Sequence, residues 1–163
     1  MSKVLGIDIG SQGALALLDE AGALLDIADM PILRDGPRNR PNVNAPLLAE
    51  IISRWQATQA FVEYVGARPG EGPTGAFSFG RSKGVVEGVC AAAGLSVAFL
   101  TPPAWKRAVG IPPGKDGAKD AARSEAIRRW PGQAALFARA KDDGRAEAAL
   151  IAVAGMIRKS GAR

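Results

Sequence analysis

The chain of 163 residues is 47% hydrophobic and 23% charged, with a net charge of +5, and that length predicts one domain, residues 1–163, with a substantial core. It contains no histidine, which excludes Ser-His-Asp and Cys-His catalysis and any histidine-ligated zinc, so a catalytic metal would need oxygen ligands, as Mg²⁺ or Mn²⁺ does. The single cysteine, Cys90 in "GVCAAAG", excludes an internal disulfide and a four-cysteine zinc site, and reads as a small core residue suited to a reducing compartment.

"KVLGIDIG" and "GALALLDEAG" predict two strands joined by a tight "GSQG" turn, and "ALLDIADM" predicts a third, giving an antiparallel meander. The opening "MSKVLGIDIG" passes straight into this pattern, unlike a secretory signal, and no stretch reaches the ~20 apolar residues of a spanning helix. Residues 31 to 43, "PILRDGPRNRPNV", read as an exposed loop. Asn44 is placed to cap a helix over "APLLAEIISRWQA", where Leu47, Leu48, Ile51, Ile52 and Trp55 repeat at helical spacing. "AFVEYVG" reads as a fourth strand and "RPGEGPTG" as a glycine-rich loop. In the long helix that follows, "AFSFGRSKGVVEGVCAAAG", Gly80, Gly84 and Gly88 make a smooth ridge open to another helix, of this chain or of a second subunit. "LSVAFL" is a fifth strand, "TPPAWKRAVG" a short turn or helix, and "GKDGAKDAARSEAIRRW" a basic helix with its approach. The chain closes on a helix headed by acids, "KDDGRAEAALIAVAGMIRK". The order predicts a mixed α/β sheet covered on both faces.

Charge is distributed unevenly along this order. Residues 1 to 80 hold six Lys/Arg against nine Asp/Glu, and residues 81 to 163 hold fifteen against seven. A basic C-terminal half suggests a polyanionic partner, with solubilising charge as the plain alternative. Aromatic residues are few, so such a surface would contact phosphates more than bases.

Two carboxylates interrupt otherwise apolar strands: Asp8 in the first and Glu63 in the fourth. A carboxylate in a buried strand is unfavourable unless it is paired or holds a metal, although either could also face solvent. At the head of the last helix, Asp143 and Glu147 are four apart and share a face, about 6 Å between Cβ atoms. Helix capping is the commoner use of such acids, and Asp142 competes with Asp143 for either role. If the first and fourth strands are neighbours and the last helix crosses them, all four carboxylates meet in one pocket. They would then repel one another unless divalent cations neutralised them, an arrangement suited to two-metal phosphodiester hydrolysis.

These segments resemble the RuvC-type Holliday junction resolvases of the RNase H-like nuclease superfamily, and the resemblance covers nearly the whole chain. "VLGIDIGSQGALAL" is similar to the first two strands of that family, with Asp8 at its first acidic position, and "FVEYV" to the strand carrying the second, Glu63. "DDGRAEAALIA" resembles the phage and plant chloroplast forms in particular. It places Asp143 and Glu147 in the remaining ligand positions, four apart where the bacterial forms have three. "TPPAWKRAVGI" and "GKDGAKDAAR" are similar to the segments that face DNA, which assigns phosphate contacts to Lys106, Lys119 and Arg123; Arg81 and Lys83 join them as DNA-binding candidates.

The resemblance implies an RNase H-like sheet of three antiparallel strands followed by two parallel ones, flanked by helices. It implies two Mg²⁺ per site, with Mn²⁺ as a substitute, held by Asp8, Glu63, Asp143 and Glu147, with Lys106 beside them. The implied activity is paired nicking of four-way DNA junctions by a homodimer. The implied setting is the cytoplasm of a bacterium or of a phage host, with an organellar origin also open. A second feature departs from the bacterial pattern: after Glu63 the chain runs "GARPGEGPTG", with no aromatic until Phe77, where those members carry an aromatic wedge. Junction opening would then use another element, or the enzyme would act on forks and flaps as well. "GIDIGSQGALALLDEAG" also resembles the phosphate-binding turn of actin-like kinases and ATPases, which need a second such domain that this length does not supply. A noncatalytic DNA-binding module of the same fold is a further alternative, opposed by the filled acidic positions.

Overall fold

Alternation along the first strand sets the layering. In β1 (Lys3–Asp8), Leu5 and Ile7 point to one face and Val4 and Gly6 to the other, and both faces are covered, so the strand reads as a nearly continuous apolar run. The computed structural model describes residues 1–67, 69–114 and 118–161. β2 (Ala14–Asp19) and β3 (Leu24–Asp29) complete the expected meander.

Residues 31 to 43 are more ordered than a plain exposed loop. The short strands β4 (Ile32–Leu33) and β5 (Asn42–Val43) pair antiparallel around a 3₁₀ turn at Pro37–Asn39. Helix α1 (Ala45–Trp55) begins as its sequence requires, with the Asn44 side chain accepting from Leu47 N at 3.2 Å. Leu48, Ile51, Ile52 and Trp55 form its buried face.

β6 (Gln59–Glu63) lies parallel to β1. Helix α2 (Pro73–Ala92) starts inside the segment expected to be loop, because Pro73 occupies the first turn, where a missing N–H costs nothing. β7 (Ser96–Leu100) pairs parallel to β6, and α3 (Pro102–Ala108) and α4 (Ala118–Arg129) follow. A 3₁₀ turn at Ala140–Asp142 leads into α5 (Asp143–Gly161). The sheet order is β3-β2-β1-β6-β7, the mixed five-stranded arrangement implied by the sequence.

Two cores flank the sheet. Leu5, Ile7, Leu15, Leu17, Ala60 and Val62 pack against α1 and α2; Val4, Ala14, Ala16, Leu18 and Phe61 pack against α3, α4 and α5. The alanines of α5 have a steric purpose. A Cβ on Gly6 would stand 2.0 Å from the Ala148 carbonyl oxygen, and one on Gly155 would stand 2.1 Å from the Phe61 ring. Helix α5 therefore lies against β1 at a distance that only small residues permit. Among the described residues, no helix is long and apolar enough to cross a membrane.

Candidate metal centre

Strand alternation places the first two carboxylates. Asp8 follows Val4 and Gly6 on the α5 side of β1, and Glu63 follows Phe61 on the same side of β6. The parallel register pairs Ile7 with Val62, so Asp8 and Glu63 end neighbouring strands about 4.8 Å apart. Both sit at the C-terminal edge of the sheet, half-buried.

The turn between β1 and β2 brings α5 to the same edge. Gly10 adopts φ 137°, and Gly13 N donates to the Gly10 carbonyl at 3.1 Å. A Cβ on Gly144 would stand 2.3 Å from the Gln12 carbonyl oxygen and 3.3 Å from Asp8 Oδ2. The Asp8 carboxylate thus lies beside the N-terminal turn of α5, where the helix dipole favours negative charge. Asp143 opens that helix and Glu147 follows one turn later. Asp8, Glu63, Asp143, Glu147 and Lys106 all line one open cleft of about 750 Å³. The structure therefore brings together the four acids and the lysine that the sequence singled out. Among the described residues, no three acidic or thiol side chains are drawn in to the spacing of an assembled cation cage. The donor set, oxygen only and half-exposed, suits Mg²⁺ or Mn²⁺.

Several residues that the sequence reading did not single out hold this cleft in shape. Trp105 is fully buried, and its Nε1 donates to Glu63 Oε1 at 2.9 Å, engaging one oxygen of the carboxylate. Lys106 Nζ lies 5.4 Å from the Trp105 ring centroid, so one tryptophan orients an acid and steadies a cation. Arg145 forms a two-pronged pair with Asp29 on β3, at 2.6 and 2.7 Å, which ties the first turn of α5 to the sheet edge. That hydrogen-bonded guanidinium holds the Asp29 carboxyl below the usual carboxylate range.

Asp142 is absent from the cleft. The residue is 1% exposed, and its carboxylate accepts from Arg139 N at 2.9 Å and binds the Arg139 guanidinium at 2.8 Å; these bonds hold its carboxyl below the ordinary value. Of the two roles for which the sequence set Asp142 against Asp143, it takes neither here: it does not line the cleft, and it does not cap α5, because its side chain reaches back to Arg139 and closes the preceding 3₁₀ turn.

The outlying basic candidates divide. The Arg123 guanidinium donates to the Ala138 carbonyl at 3.1 Å and pairs with Asp120, which braces α4 against the segment before α5; it is not among the residues lining the cleft. Lys83 pairs with Glu87 and lies over the Tyr64 and Phe99 rings at 5.7 and 5.3 Å. Arg81 is exposed and lines a separate groove. Lys119 stands in the first turn of α4, but its side chain lies outside the described residues.

No family model matches the chain, and no curated protein matches it by sequence. Solved structures do. Thermus thermophilus RuvC in complex with a Holliday junction substrate superposes with a TM-score of 0.68 at 18% identity, covering 99% of this chain and 97% of that one. A second structure of Thermus thermophilus RuvC gives a TM-score of 0.66 at 20% identity, covering 98% and 96%. Over nearly its whole length, this chain has the RuvC-type, RNase H-like fold.

Proposed function

We propose that the protein is an Mg²⁺-dependent, structure-selective DNA endonuclease that resolves four-way junctions by paired nicks. The observation that carries this reading is the convergence of Asp8, Glu63, Asp143 and Glu147 with Lys106 in one open cleft at the sheet's C-terminal edge. The likeness to a RuvC bound to a Holliday junction supports branched DNA as the substrate class. Asp8, Glu63, Asp143 and Glu147 would hold two Mg²⁺ ions. When bound, the pair supplies an activated water and charge stabilisation for the departing 3′-oxygen. The chain's own contribution is to fix that geometry: the sheet sets Asp8 beside Glu63, the Trp105 indole orients Glu63, and the Gly144 contact sets the height of α5. Lys106, mounted on α3 and steadied over Trp105, supplies a cation where negative charge develops on the phosphoryl group.

Paired nicks need two sites, and a homodimer supplies them. The exposed glycine ridge of α2 supports this. A Cβ placed on Gly80, Gly84 or Gly88 would meet nothing within 4 Å, so the described chain leaves the ridge uncovered and open to a second copy. Sedimentation that shows only a ~17 kDa species, with and without DNA, would remove the dimer while leaving the site intact.

The test of function compares a four-way junction, a fork and a linear duplex as substrates. The expected result is cleavage of the junction above the others. Asp8→Asn and Glu63→Gln should abolish cleavage while junction binding persists, and calorimetry should show their Mg²⁺ uptake reduced. Cleavage retained by either variant would sink the two-metal site.

A further inference from the structure

We propose that Arg145 and Asp29 are positioning residues for the candidate metal centre: their two-pronged pair sets the roll of α5 about its axis, and with it the direction of Asp143 and Glu147. This role rests on the metal-site reading above and adds two residues that do not line the cleft.

One row of the sheet carries both the candidate ligands and their anchor. Asp8 pairs with Ala14, and Ala14 pairs with Asp29, so the three form a line across β1, β2 and β3. Residues paired in this way point to the same face, here the α5 side. Glu63 extends the line on β6. Asp8 and Asp29 therefore stand two strand spacings apart, about 10 Å, with the fully buried Ala14 between them. The first turn of α5 lies over this gap, where a Cβ on Gly144 would stand 2.3 Å from the Gln12 carbonyl oxygen and 3.1 Å from Gly13 Cα.

Helix geometry then divides α5 into two flanks. At 100° per residue, Gly144 and Ala148 face the sheet, Asp143 and Glu147 lie to one side of that seam, and Arg145 lies to the other. Arg145 is about 200° from each of the two acids, opposite their mean direction. The seam itself is smooth. Gly144, Ala148 and Ala152 meet β1 and its turn through backbone and methyl groups, which bring the helix close but give no long side chain to resist turning.

Arg145 supplies that resistance. Its side chain is 20% exposed, and Nε and Nη2 donate to Asp29 Oδ1 and Oδ2 at 2.6 and 2.7 Å. Two parallel bonds between planar groups fix direction as well as distance. Asp142 Oδ1 is 3.8 Å from Nη1, past hydrogen-bonding reach, so the orienting contact is the one to Asp29. The leverage is large. A carboxylate about 6 Å from the helix axis moves about 2 Å when the helix rolls by about 20°. Metal–ligand distances hold to within about 0.2 Å.

The test uses the full-length protein and Mn²⁺ alone, without DNA, and follows the loss of the aquated Mn²⁺ signal by electron paramagnetic resonance well below the melting temperature. Asp29→Asn keeps the shape and removes one prong; Arg145→Met keeps the stem and removes both. Each should weaken Mn²⁺ binding about tenfold, the lower end of what partners of ligating groups contribute. The shared direction is decisive, because by charge alone losing Asp29 would weaken cation binding and losing Arg145 would strengthen it. Arg145→Lys keeps the charge and loses the fork, and should weaken binding in the same direction even if Arg145→Met does not fold. The double variant should bind no more weakly than the worse single one, since both act through one contact. Arg128→Met breaks an equally two-pronged pair with Glu125 on α4 and should leave Mn²⁺ affinity within about twofold. Tighter binding by Arg145→Met reduces the pair to a charge effect, and wild-type affinity with a lowered melting temperature reduces it to stability; either result overturns the proposal alone. A wild type that takes up no Mn²⁺ overturns the metal-site reading and the positioning role with it. Weakened variants beside a wild type that binds Mn²⁺ but cleaves no branched DNA leave the positioning role standing and remove the nuclease reading.

Discussion

The Trp105 indole donates to Glu63 Oε1 at 2.9 Å across a separation of 42 residues, and the same ring lies beneath Lys106. A fully buried tryptophan needs a partner for its N–H, and here that partner is a candidate metal ligand. Trp105→Phe keeps most of the packing and removes the donor. Partners of ligating carboxylates are typically worth 10- to 100-fold in metal affinity or activity. The expected outcome is a rise of about tenfold or more in the Mg²⁺ concentration needed for half-maximal cleavage, with folding largely retained. An unchanged Mg²⁺ titration would reduce Trp105 to core packing.

Gly6 tests how α5 is seated. Its missing side chain admits the Ala148 backbone, and backbone cannot swing aside as a flexible side chain can. Gly6→Ala should destabilise the protein by about 3 kcal/mol or more, at the upper end of ordinary overpacking effects. The readout is the denaturant midpoint. Gly84→Ala on the uncovered α2 ridge meets nothing within 4 Å in the chain and, by helix propensity, should be neutral or stabilising by up to about 1 kcal/mol. In the proposed dimer the same substitution should weaken association, so equal sedimentation of variant and wild type would argue against the ridge as the interface.

Lys106 separates rate from affinity. If it stands where charge builds on the phosphoryl group, Lys106→Ala should lower the single-turnover cleavage rate by about 10²-fold, with junction affinity little changed. A lysine giving only general attraction would instead weaken binding and flatten its salt dependence by about one unit. Measuring both quantities on the same junction decides between them.

Much of this site was legible in the sequence because its signals are local. Asp8 and Glu63 stand out as charges in apolar strands, and Asp143 and Glu147 as a one-turn pair, so the strand order alone brings them to one edge. What escaped was fixed by contacts distant in sequence. The Trp105–Glu63 bond and the Arg145–Asp29 pair leave no periodic trace, and the only available sign was a tryptophan whose N–H had to be satisfied. The contacts of Arg123 are equally silent in the sequence: nothing in "AKDAARSEAIRR" marks its guanidinium as meeting a backbone carbonyl and a neighbouring aspartate. The 31–43 segment misled through composition: its prolines, glycine and arginines do resemble a loop, while the two-residue pairing of β4 with β5 is too short to show a period.

Burial pushes the Cys90 thiol up to about 11. Below about pH 8.5 the thiol is neutral in folded and unfolded chains alike, so its contribution to stability is constant there. Above that pH the unfolded chain ionises first and binds fewer protons, so the contribution is lost as pH rises from about 8.5 through about 11. Stability measured against pH should therefore fall more steeply in this window for the wild type than for Cys90→Ala. The native protein should also resist thiol reagents at pH 8 and react once unfolded. Rapid labelling of the native protein would contradict the buried position.

Asp142, Asp143 and Glu147 supply the sharpest separation of structure from chemistry, because three acids within six residues have different surroundings. Asp142 is buried on Arg139 and lies outside the cleft, while Asp143 and Glu147 line it one helical turn apart. Asp142→Asn keeps the shape but gives up the charge that the guanidinium binds. The Arg139 side chain is 54% exposed and can be resolvated, so the loss should be modest, about 1–2 kcal/mol of stability. Cleavage per folded molecule should stay close to the wild-type value at temperatures well below the transition, and the Mg²⁺ dependence should not move. Asp143→Asn and Glu147→Gln should behave in the reverse way: activity lower by orders of magnitude in molecules that remain folded at the assay temperature. The measurement pairs a thermal melt with a single-turnover assay for each variant. If Asp142→Asn loses activity while its melt is unchanged, Asp142 belongs among the ligands and the assignment of Asp143 is wrong.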